Sequence, residues 1–167
     1  MTILGLVLLG LFICFAGVVF IGPPYLPTLK PQVKAALDLL DLKPGQTMVE
    51  LGCGDGVVLV AAAQRGWKVV GIELNPFLYL FCKLRTWRYR GQVHVRLGNY
   101  WNTGLWGDPR KTDAIFGFVL PRYMSKLDAS IEAWRKGRPV RLASFAFRIP
   151  GRTIDKEELG VFLYDYK

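Results

Sequence analysis

The chain of 167 residues is poor in the side chains that hold metals and disulfides. It contains three cysteines and a single histidine, His94. Cys14, Cys53 and Cys82 are odd in number and lack the paired spacing of zinc ligands, so neither a disulfide framework nor a metal site is indicated. Because His94 falls inside a predicted strand, we interpret it as structural. The sequence therefore offers no dedicated histidine base.

Acidic residues are also scarce. Asp and Glu number 13 against 22 Lys and Arg, which gives a formal net charge of +9. Such a chain favours anionic surfaces: phospholipid headgroups, nucleic acid or an acidic protein. One basic cluster contains no acid and comprises Lys83, Arg85, Arg88, Arg90 and Arg96. We interpret it as a solvated surface that favours a membrane, and its scattered aromatic residues add no specific signal for nucleic acid.

Charge is absent altogether from residues 2–22. About 20 mostly apolar residues span a bilayer core, so residues 1–22 are predicted to form a transmembrane anchor. The basic region and cleavage site of a signal peptide are missing, and no G-x-x-x-G pattern indicates helix pairing. Lys30, Lys34 and Lys43 follow the run, which predicts a single-pass topology with the rest of the chain on the cytoplasmic or a matrix-like side.

Residues 23–46 form a second predicted unit, a strap followed by a helix. Prolines at positions 23, 24 and 27 make its beginning stiff and extended. This stretch is either a spacer or a strap across the mouth of an active site. Apolar residues at helical spacing predict an amphipathic helix over 31–42.

Residues 47–167 form the third predicted unit, in which strands alternate with helices. Strands are predicted at 47–51, 68–73, 93–97, 113–119, 140–147 and 161–166. Helices are predicted at 57–64, from Pro76 onward and at 121–136, with a weak helical signal at 155–159. The helix from Pro76 carries an apolar stripe of Phe77, Leu80, Phe81, Leu84 and Trp87. This alternation indicates a Rossmann-like α/β fold, with a mostly parallel sheet covered by helices on both faces.

The most informative stretch is residues 49–56, Val-Glu-Leu-Gly-Cys-Gly-Asp-Gly, where a strand meets a glycine turn and a helix start. Glycine suits a backbone that takes positive φ or approaches a ligand closely. Ligands of such sheets bind outside the carboxyl ends of the strands. Glu73 ends the second strand, where a carboxylate can accept the ribose hydroxyls of a nucleoside. Asn99 and Tyr100 follow the third strand and could frame an adenine, and residues 118–121 end the fourth.

Two cofactors are candidates for binding at this loop. A dinucleotide fingerprint reads G-x-G-x-x-G, but Val57 stands where its third glycine would be. Glu50 lies two residues before Gly52, where a carboxylate suits an ammonium and a sulfonium and suits a pyrophosphate poorly. The sequence therefore favours S-adenosylmethionine (SAM) over NAD.

Four segments together resemble one enzyme family. They are Tyr25-Leu26-Pro27-Thr28 with Gln32, Glu50 to Gly56, Glu73-Leu74-Asn75-Pro76, and Phe116 to Pro121 with Met124. The pattern is similar to class I SAM-dependent methyltransferases, and within them to the small membrane-associated protein lysine methyltransferases that modify the ATP synthase c-subunit and the adenine nucleotide translocase, and their archaeal relatives. The resemblance implies a seven-strand-type sheet, SAM as cofactor and a lysine side chain as acceptor. A shortened C-terminus is expected as a departure from the family.

Residues and resemblance together define a predicted site. The predicted cofactor contacts are Thr28, Gln32, Glu50, Gly52, Cys53, Gly54, Asp55, Gly56, Glu73, Leu74, Asn75, Asn99 and Tyr100. The predicted acceptor channel contains Tyr25, Phe118 and Pro121, with Tyr100, Trp101 and Tyr123 as further wall candidates. Asn99 stands where the family usually has an acid, but an amide oxygen can accept the same hydrogen bond.

The expected function is that of a membrane-anchored protein lysine methyltransferase, with a protein substrate and no nucleic-acid partner. An apolar aromatic channel would lower the pKa of the acceptor lysine from its usual value of about 10.4 and favour the neutral amine. Three alternatives stay open: methylation of a lipid, quinone or other small molecule, methylation of RNA, and a non-catalytic SAM-binding scaffold. For RNA, the strand-four signature Asn-Pro-Pro-Tyr of many base methylases is absent, since residues 117–121 read Gly-Phe-Val-Leu-Pro.

Overall fold

The structure, a computed structural model, describes residues 28–167 together with Gly5, Leu6 and Gly10. Within this described part of the chain, no helix is both long and apolar enough to span a bilayer. The predicted anchor at 1–22 lies almost entirely outside the described residues, and the strap at 23–27 lies wholly outside them. Both stay predictions.

Among the described residues, one sheet of seven strands organises the fold. Its strands are β1 (Thr47–Leu51), β2 (Lys68–Glu73), β3 (Val93–Leu97), β4 (Ala114–Gly117), β5 (Val140–Phe145), β6 (Lys156–Glu158) and β7 (Val161–Tyr166). They lie in the order β3-β2-β1-β4-β5-β7-β6. The first five strands in this order pair in parallel, and β7 is antiparallel to both β5 and β6. The strand order reverses between β1 and β4, which is where ligands of open α/β sheets bind.

Within residues 28–167, four helices cover the two faces of the sheet. They are α1 (Lys30–Leu40), α2 (Val57–Gln64), α3 (Pro76–Arg85) and α4 (Met124–Arg135). Short 3-10 turns occur at Trp87–Tyr89, Thr103–Trp106, Pro109–Lys111 and Pro121–Tyr123. Met48 of β1 packs on the side of α1 and α2, and the next residue, Val49, packs on the side of α4. Strand side chains alternate between faces, so β1, β2, β4, β5 and β7 contribute to both cores, and the predicted Rossmann-like layers are confirmed.

Helix α1 runs against the direction of the parallel strands. The guanidinium of Arg141, near the start of β5, donates a hydrogen bond of 2.7 Å to the carbonyl oxygen of Leu40 at the end of α1. The end of α1 therefore lies at the amino edge of the sheet, and α1 packs along β5 and β7. Its first turn, which contains Gln32, and the preceding Thr28 consequently lie toward the carboxyl edge.

The weak helical signal at 155–159 is wrong, because this segment contains strand β6. Glu157 pairs with Phe162 of β7 in an antiparallel register. Leu159 and Gly160 connect the two strands with φ angles of 49° and 75°, and positive φ at both loop positions makes a tight two-residue hairpin. All three β6 side chains are exposed and charged, which suits an edge strand.

Candidate functional site

The glycine loop follows β1 at the carboxyl edge, as predicted. Gly52, Gly54 and Gly56 have φ angles of 78°, 51° and 81°, a region that glycine enters without a Cβ penalty. The amides of Gly52 and Cys53 both donate to the carbonyl oxygen of Ile72, each at 2.9 Å. The end of β2 therefore fixes the start of the loop.

Two cysteines pack beneath this loop. The sulfur atoms of Cys53 and Cys82 lie 3.8 Å apart, and both side chains are buried. The hydrogen bond to Cys82, together with burial, raises the pKa of the Cys53 thiol well above its usual range. Because the thiolate is the reactive form, we interpret the Cys53 side chain as a packing group, and its contact with the cofactor stays a prediction.

Gly56 provides a direct test of this packing. A Cβ at Gly56 would lie 2.6 Å from the Cys82 sulfur, whereas a Cβ at Gly52 would have no atom within 4 Å. We expect Gly56→Ala to lower the free energy of unfolding by about 2–5 kcal/mol, since positive φ costs about 1–2 kcal/mol and overpacking about 1–3 kcal/mol. The matched Gly52→Ala change should lower the free energy of unfolding only by the cost of positive φ. Equal losses in urea unfolding would show that the contact with Cys82 is unimportant.

Glu73 ties the loop to the end of β2. Its carboxylate accepts hydrogen bonds of 2.8 Å from the amides of Gly54 and Asn75. Each oxygen keeps a second lone pair at the place predicted for a ribose. The Asn75 side chain instead caps α3 by accepting from the amides of Phe77 and Leu78. Leu74 lies between Glu73 and Asn75. Contacts of the Leu74 and Asn75 side chains with a cofactor stay predictions.

Glu50 is the least satisfied ionisable group of the site. Only 4% of the residue is exposed, and its Oε2 has no hydrogen-bond partner among the described residues. Burial raises the pKa of Glu50 well above its usual range, and the Cys82 thiol and the carboxylates of Asp55 and Glu73 raise it further. A buried carboxylate without a partner is destabilising, and such groups concentrate at functional sites. A bound cation beside Glu50 would stabilise its charged form and offset this cost.

Asp55 has partners within the protein. Its Oδ1 accepts from the Val57 amide at 3.3 Å, and its Oδ2 forms an ion pair with Arg85 of α3. The carboxylate thus joins the loop to α3, and its predicted contact with the cofactor is untested. Sequence reasoning missed Arg85, because the partner lies 30 positions away within a cluster that otherwise reads as solvated.

Asn99 and Tyr100 follow β3 at the same edge. The Asn99 Oδ1 accepts a 2.9 Å hydrogen bond from the amide of Trp101, and one oxygen lone pair and the amide protons stay available. Tyr100 is half-buried. Burial, with the nearby Tyr123, raises the pKa of the Tyr100 phenol, so it stays protonated and can donate.

Three of the predicted wall residues form one aromatic cluster. The ring centroid of Trp101 lies 4.9 Å from that of Tyr100 and 5.7 Å from that of Tyr123. The ammonium of Lys126 lies 4.2 Å from the Trp101 centroid. Because aromatic faces attract cations, this cluster already accommodates a lysine side chain.

Phe118 joins a different group of rings. Its ring centroid lies 4.9 Å from that of Phe145, the last residue of β5, and 6.0 Å from that of Phe147, on which it stacks. Pro121 is exposed and begins a 3-10 turn. Tyr25 lies outside the described residues, so its predicted role has no structural test.

Thr28 and Gln32 lie at the start of α1. The Oε1 atom of Gln32 is buried without a hydrogen-bond partner among the described residues, so it can accept from a bound ligand. Thr28 is half-buried. Their position toward the carboxyl edge agrees with the predicted cofactor contacts but does not by itself test them.

The charges of the site suit a nucleoside cofactor that carries a positive charge. Five loop amides, those of residues 52, 53, 54, 56 and 57, already donate to protein oxygens. A pyrophosphate needs such amides free, and it would lie beside Glu50, Asp55 and Glu73. The donor set therefore fits SAM, with an ammonium and a sulfonium, and does not fit a dinucleotide.

The family assignment agrees with this geometry. The sequence model of the ANTKMT methyltransferase domain matches residues 50–156, which contain the glycine loop, Glu73 and the aromatic cluster. The chain belongs to this family. The ANTKMT methyltransferase domain thus includes every described site residue except Thr28 and Gln32.

Proteins of similar sequence have named activities. The chain is 33% identical over 111 residues to the ATP synthase c-subunit lysine N-methyltransferase of Xenopus laevis, covering 65% of this chain and 47% of the relative. It is 33% identical over 113 residues to the adenine nucleotide translocase lysine N-methyltransferase of Mus musculus, covering 66% and 47%. The chain thus spans about half the length of these two relatives.

A solved structure confirms the fold of this ANTKMT methyltransferase domain. An RNA methyltransferase from Salinibacter ruber, in complex with S-adenosylhomocysteine, superposes with a TM-score of 0.73 over 84% of this chain and 92% of its own. The sequences are 24% identical. At this identity the likeness establishes the methyltransferase fold and says nothing of the substrate.

Proposed function

We propose that this protein is a SAM-dependent methyltransferase that transfers a methyl group to the side-chain amine of a protein lysine. The observation that carries the proposal is the buried carboxylate of Glu50, without a partner among the described residues, beside Glu73 in an ANTKMT methyltransferase domain. The named relatives that are lysine N-methyltransferases support the choice of acceptor.

Cofactor binding divides between two carboxylates in this proposal. Glu73 accepts the ribose hydroxyls, because its oxygens keep free lone pairs while the amides of Gly54 and Asn75 hold it in place. Glu50 offers its unpaired oxygen to the positively charged methionine end. When bound, SAM supplies an electrophilic methyl group on a sulfonium.

The acceptor amine must lose its proton before it can attack. A channel walled by Tyr100, Trp101 and Tyr123 disfavours the charged ammonium by desolvation. The lysine nitrogen then forms a bond to the methyl carbon as the carbon–sulfur bond breaks, and the proton of the product amine leaves to water. The chain contributes orientation, exclusion of water and electrostatics, which agrees with the absence of a histidine base in its sequence.

The membrane part of the proposal rests on the sequence. The uncharged run at residues 2–22 can anchor the chain in a bilayer. Lys30, Lys34 and Lys43, which come after it, favour a catalytic domain on the cytoplasmic or a matrix-like side. Such an anchor would keep the domain near membrane-embedded substrates.

Transfer of label from SAM tests the acceptor. The purified full chain is incubated with methyl-labelled SAM and a membrane extract, and label is counted in protein, lipid and RNA fractions. We expect label in protein, recovered as methyl-lysine after hydrolysis. Label in the lipid or RNA fraction would show that the acceptor is not a protein lysine. No label, with SAM binding intact, would indicate a non-catalytic scaffold. A Glu73→Ala sample measures the background.

Tyr25 tests the proposed strap. Its role rests on the resemblance and on the position of Thr28 at the carboxyl edge. We expect Tyr25→Ala to lower kcat about 10- to 100-fold with unchanged SAM affinity, since misplacing an acceptor slightly costs up to about 100-fold. Tyr25→Phe, which keeps the ring, should retain most of the rate. A parallel loss of thermal stability in Tyr25→Ala would instead make the residue structural.

A further inference from the structure

Helix α3 places its apolar residues in solvent. Its stripe and the first residue of the following turn are Phe77, Leu80, Phe81, Leu84 and Trp87, whose exposed fractions are 38%, 62%, 50%, 76% and 61%. The opposite side of the helix carries Cys82 and Thr86, which are buried against the loop at Gly56. The hydrophobic row is therefore the outer face of α3 among the described residues, and we call these five residues the α3 apolar face.

Basic side chains border the α3 apolar face. Lys83, Arg85, Arg88 and Arg90 are exposed, and the sequence contains no Asp or Glu from residue 74 to residue 107. The guanidinium of Arg85 lies 5.1 Å from the Phe81 ring centroid, and that of Arg90 lies 5.3 Å from the Trp87 centroid. Long basic side chains that lie along apolar surface keep their charged ends at its border.

We propose that the α3 apolar face lies on the surface of an anionic lipid bilayer. A helix with one apolar side and basic residues at its borders is suited to the interface between headgroups and acyl chains. The positive border complements anionic headgroups, and the long stretch without acid removes repulsion. The two most exposed residues, Leu84 and Leu80, offer no ring on which a nucleic-acid base could stack, which favours lipid over RNA.

This inference goes beyond the proposed function, because it does not require catalysis or the predicted anchor. The contact would fix the orientation of the domain on the membrane surface. Helix α3 begins three residues after Glu73, and Arg85 pairs with Asp55 of the glycine loop. The carboxyl edge would then face along the membrane surface, with the acceptor site close to groups that emerge from the bilayer.

Tryptophan quenching tests the contact in the full chain. Trp87 is 61% exposed, whereas Trp67, Trp106 and Trp134 are 1%, 0% and 8% exposed. The protein is reconstituted in phosphatidylcholine vesicles with brominated acyl chains, with and without phosphatidylserine. A Trp87→Phe sample, subtracted from wild type, isolates the emission of residue 87. We expect Trp87 to be quenched when phosphatidylserine is present, and several-fold less without it or in high salt.

Paired leucine variants separate this face from general membrane attachment. Leu84→Glu should lower Trp87 quenching several-fold. Leu159→Glu is the matched control: Leu159 is 57% exposed and lies in the β6–β7 hairpin at the other edge of the sheet, so quenching should persist. SAM affinity in detergent should be unchanged in both variants, which keeps a failure of this proposal distinct from a failure of the enzyme assignment.

Four outcomes would overturn the proposal. Unquenched Trp87 in anionic vesicles, or equal quenching in the two leucine variants, would remove the lipid contact. A detergent-solubilised dimer that Leu84→Glu converts to a monomer, with Trp87 unquenched, would assign the face to a second copy. Loss of RNA binding in Arg88→Glu, again without quenching, would assign it to nucleic acid.

Discussion

Alanine in place of Glu73 is expected to lower the affinity for SAM about 100-fold or more. The change removes the proposed acceptor of the ribose hydroxyls, and hydrogen bonds to charged groups contribute about 1.5–3 kcal/mol each. It also leaves the buried amides of Gly54 and Asn75 without their acceptor. Each tenfold change in affinity corresponds to about 1.4 kcal/mol, so the loss of two hydrogen bonds to the ribose hydroxyls accounts for the expected decrease in affinity.

Calorimetric titration with SAM measures this loss. Glu158→Ala is the matched control, because it makes the same chemical change at an exposed residue of β6 and should leave affinity unchanged. Thermal melting of the free protein separates lost binding from lost folding, since Glu73→Ala should unfold at a lower temperature. Unchanged affinity in a folded Glu73→Ala protein would exclude the ribose assignment.

The second large effect is expected at Glu50. Glu50→Gln keeps the shape of the side chain but removes the charge that faces the cationic methionine end of SAM. We expect a loss of affinity of about 25- to 150-fold, the equivalent of about 2–3 kcal/mol for one charge-assisted contact. The same calorimetric titration measures it. An affinity equal to that of wild type would show that Glu50 does not contact the cofactor.

The pH dependence at Glu50 follows from the direction of its pKa shift. In the free protein the folded-state pKa is raised above its unfolded value, so the stabilising contribution of the protonated carboxyl is lost as pH rises through the folded pKa. The stability of wild type relative to Glu50→Gln should therefore decline with rising pH. A bound cation favours the carboxylate, so SAM affinity should rise with pH and binding should release protons. A pH-independent stability difference would contradict this account.

Local sequence patterns predicted most of the sheet, because buried parallel strands read as short apolar runs between glycine and proline. The limits of β1, β2, β3 and β7 agree with the prediction. The positions of Glu50 and Glu73 at the carboxyl edge also follow from sequence, since each belongs to a strand whose end is marked by a glycine or a proline shortly after it. The loop, the second carboxylate and the aromatic cluster were predicted as parts of one site, and the structure places them at the same edge.

Other features depended on contacts that a local pattern does not contain. The hairpin of β6 has Leu159-Gly160 at its turn, which lacks the Asn-Gly or Asp-Gly signal of such turns. The stripe of α3 has helical spacing, but periodicity does not reveal which side meets the core. Here the small side chains of Cys82 and Thr86 allow close approach to the glycine loop, and the larger residues face outward. The ion pair of Asp55 with Arg85 joins distant parts of the chain.

The most direct test of the central claim is a comparison of two ligands on the wild-type full chain. SAM and NAD are titrated separately into the same protein by calorimetry, at neutral pH and in a detergent that keeps the chain monodisperse. With Glu50 buried and the loop amides occupied, we predict saturable binding of SAM and no heat from NAD. Saturable binding of NAD without binding of SAM would contradict the account.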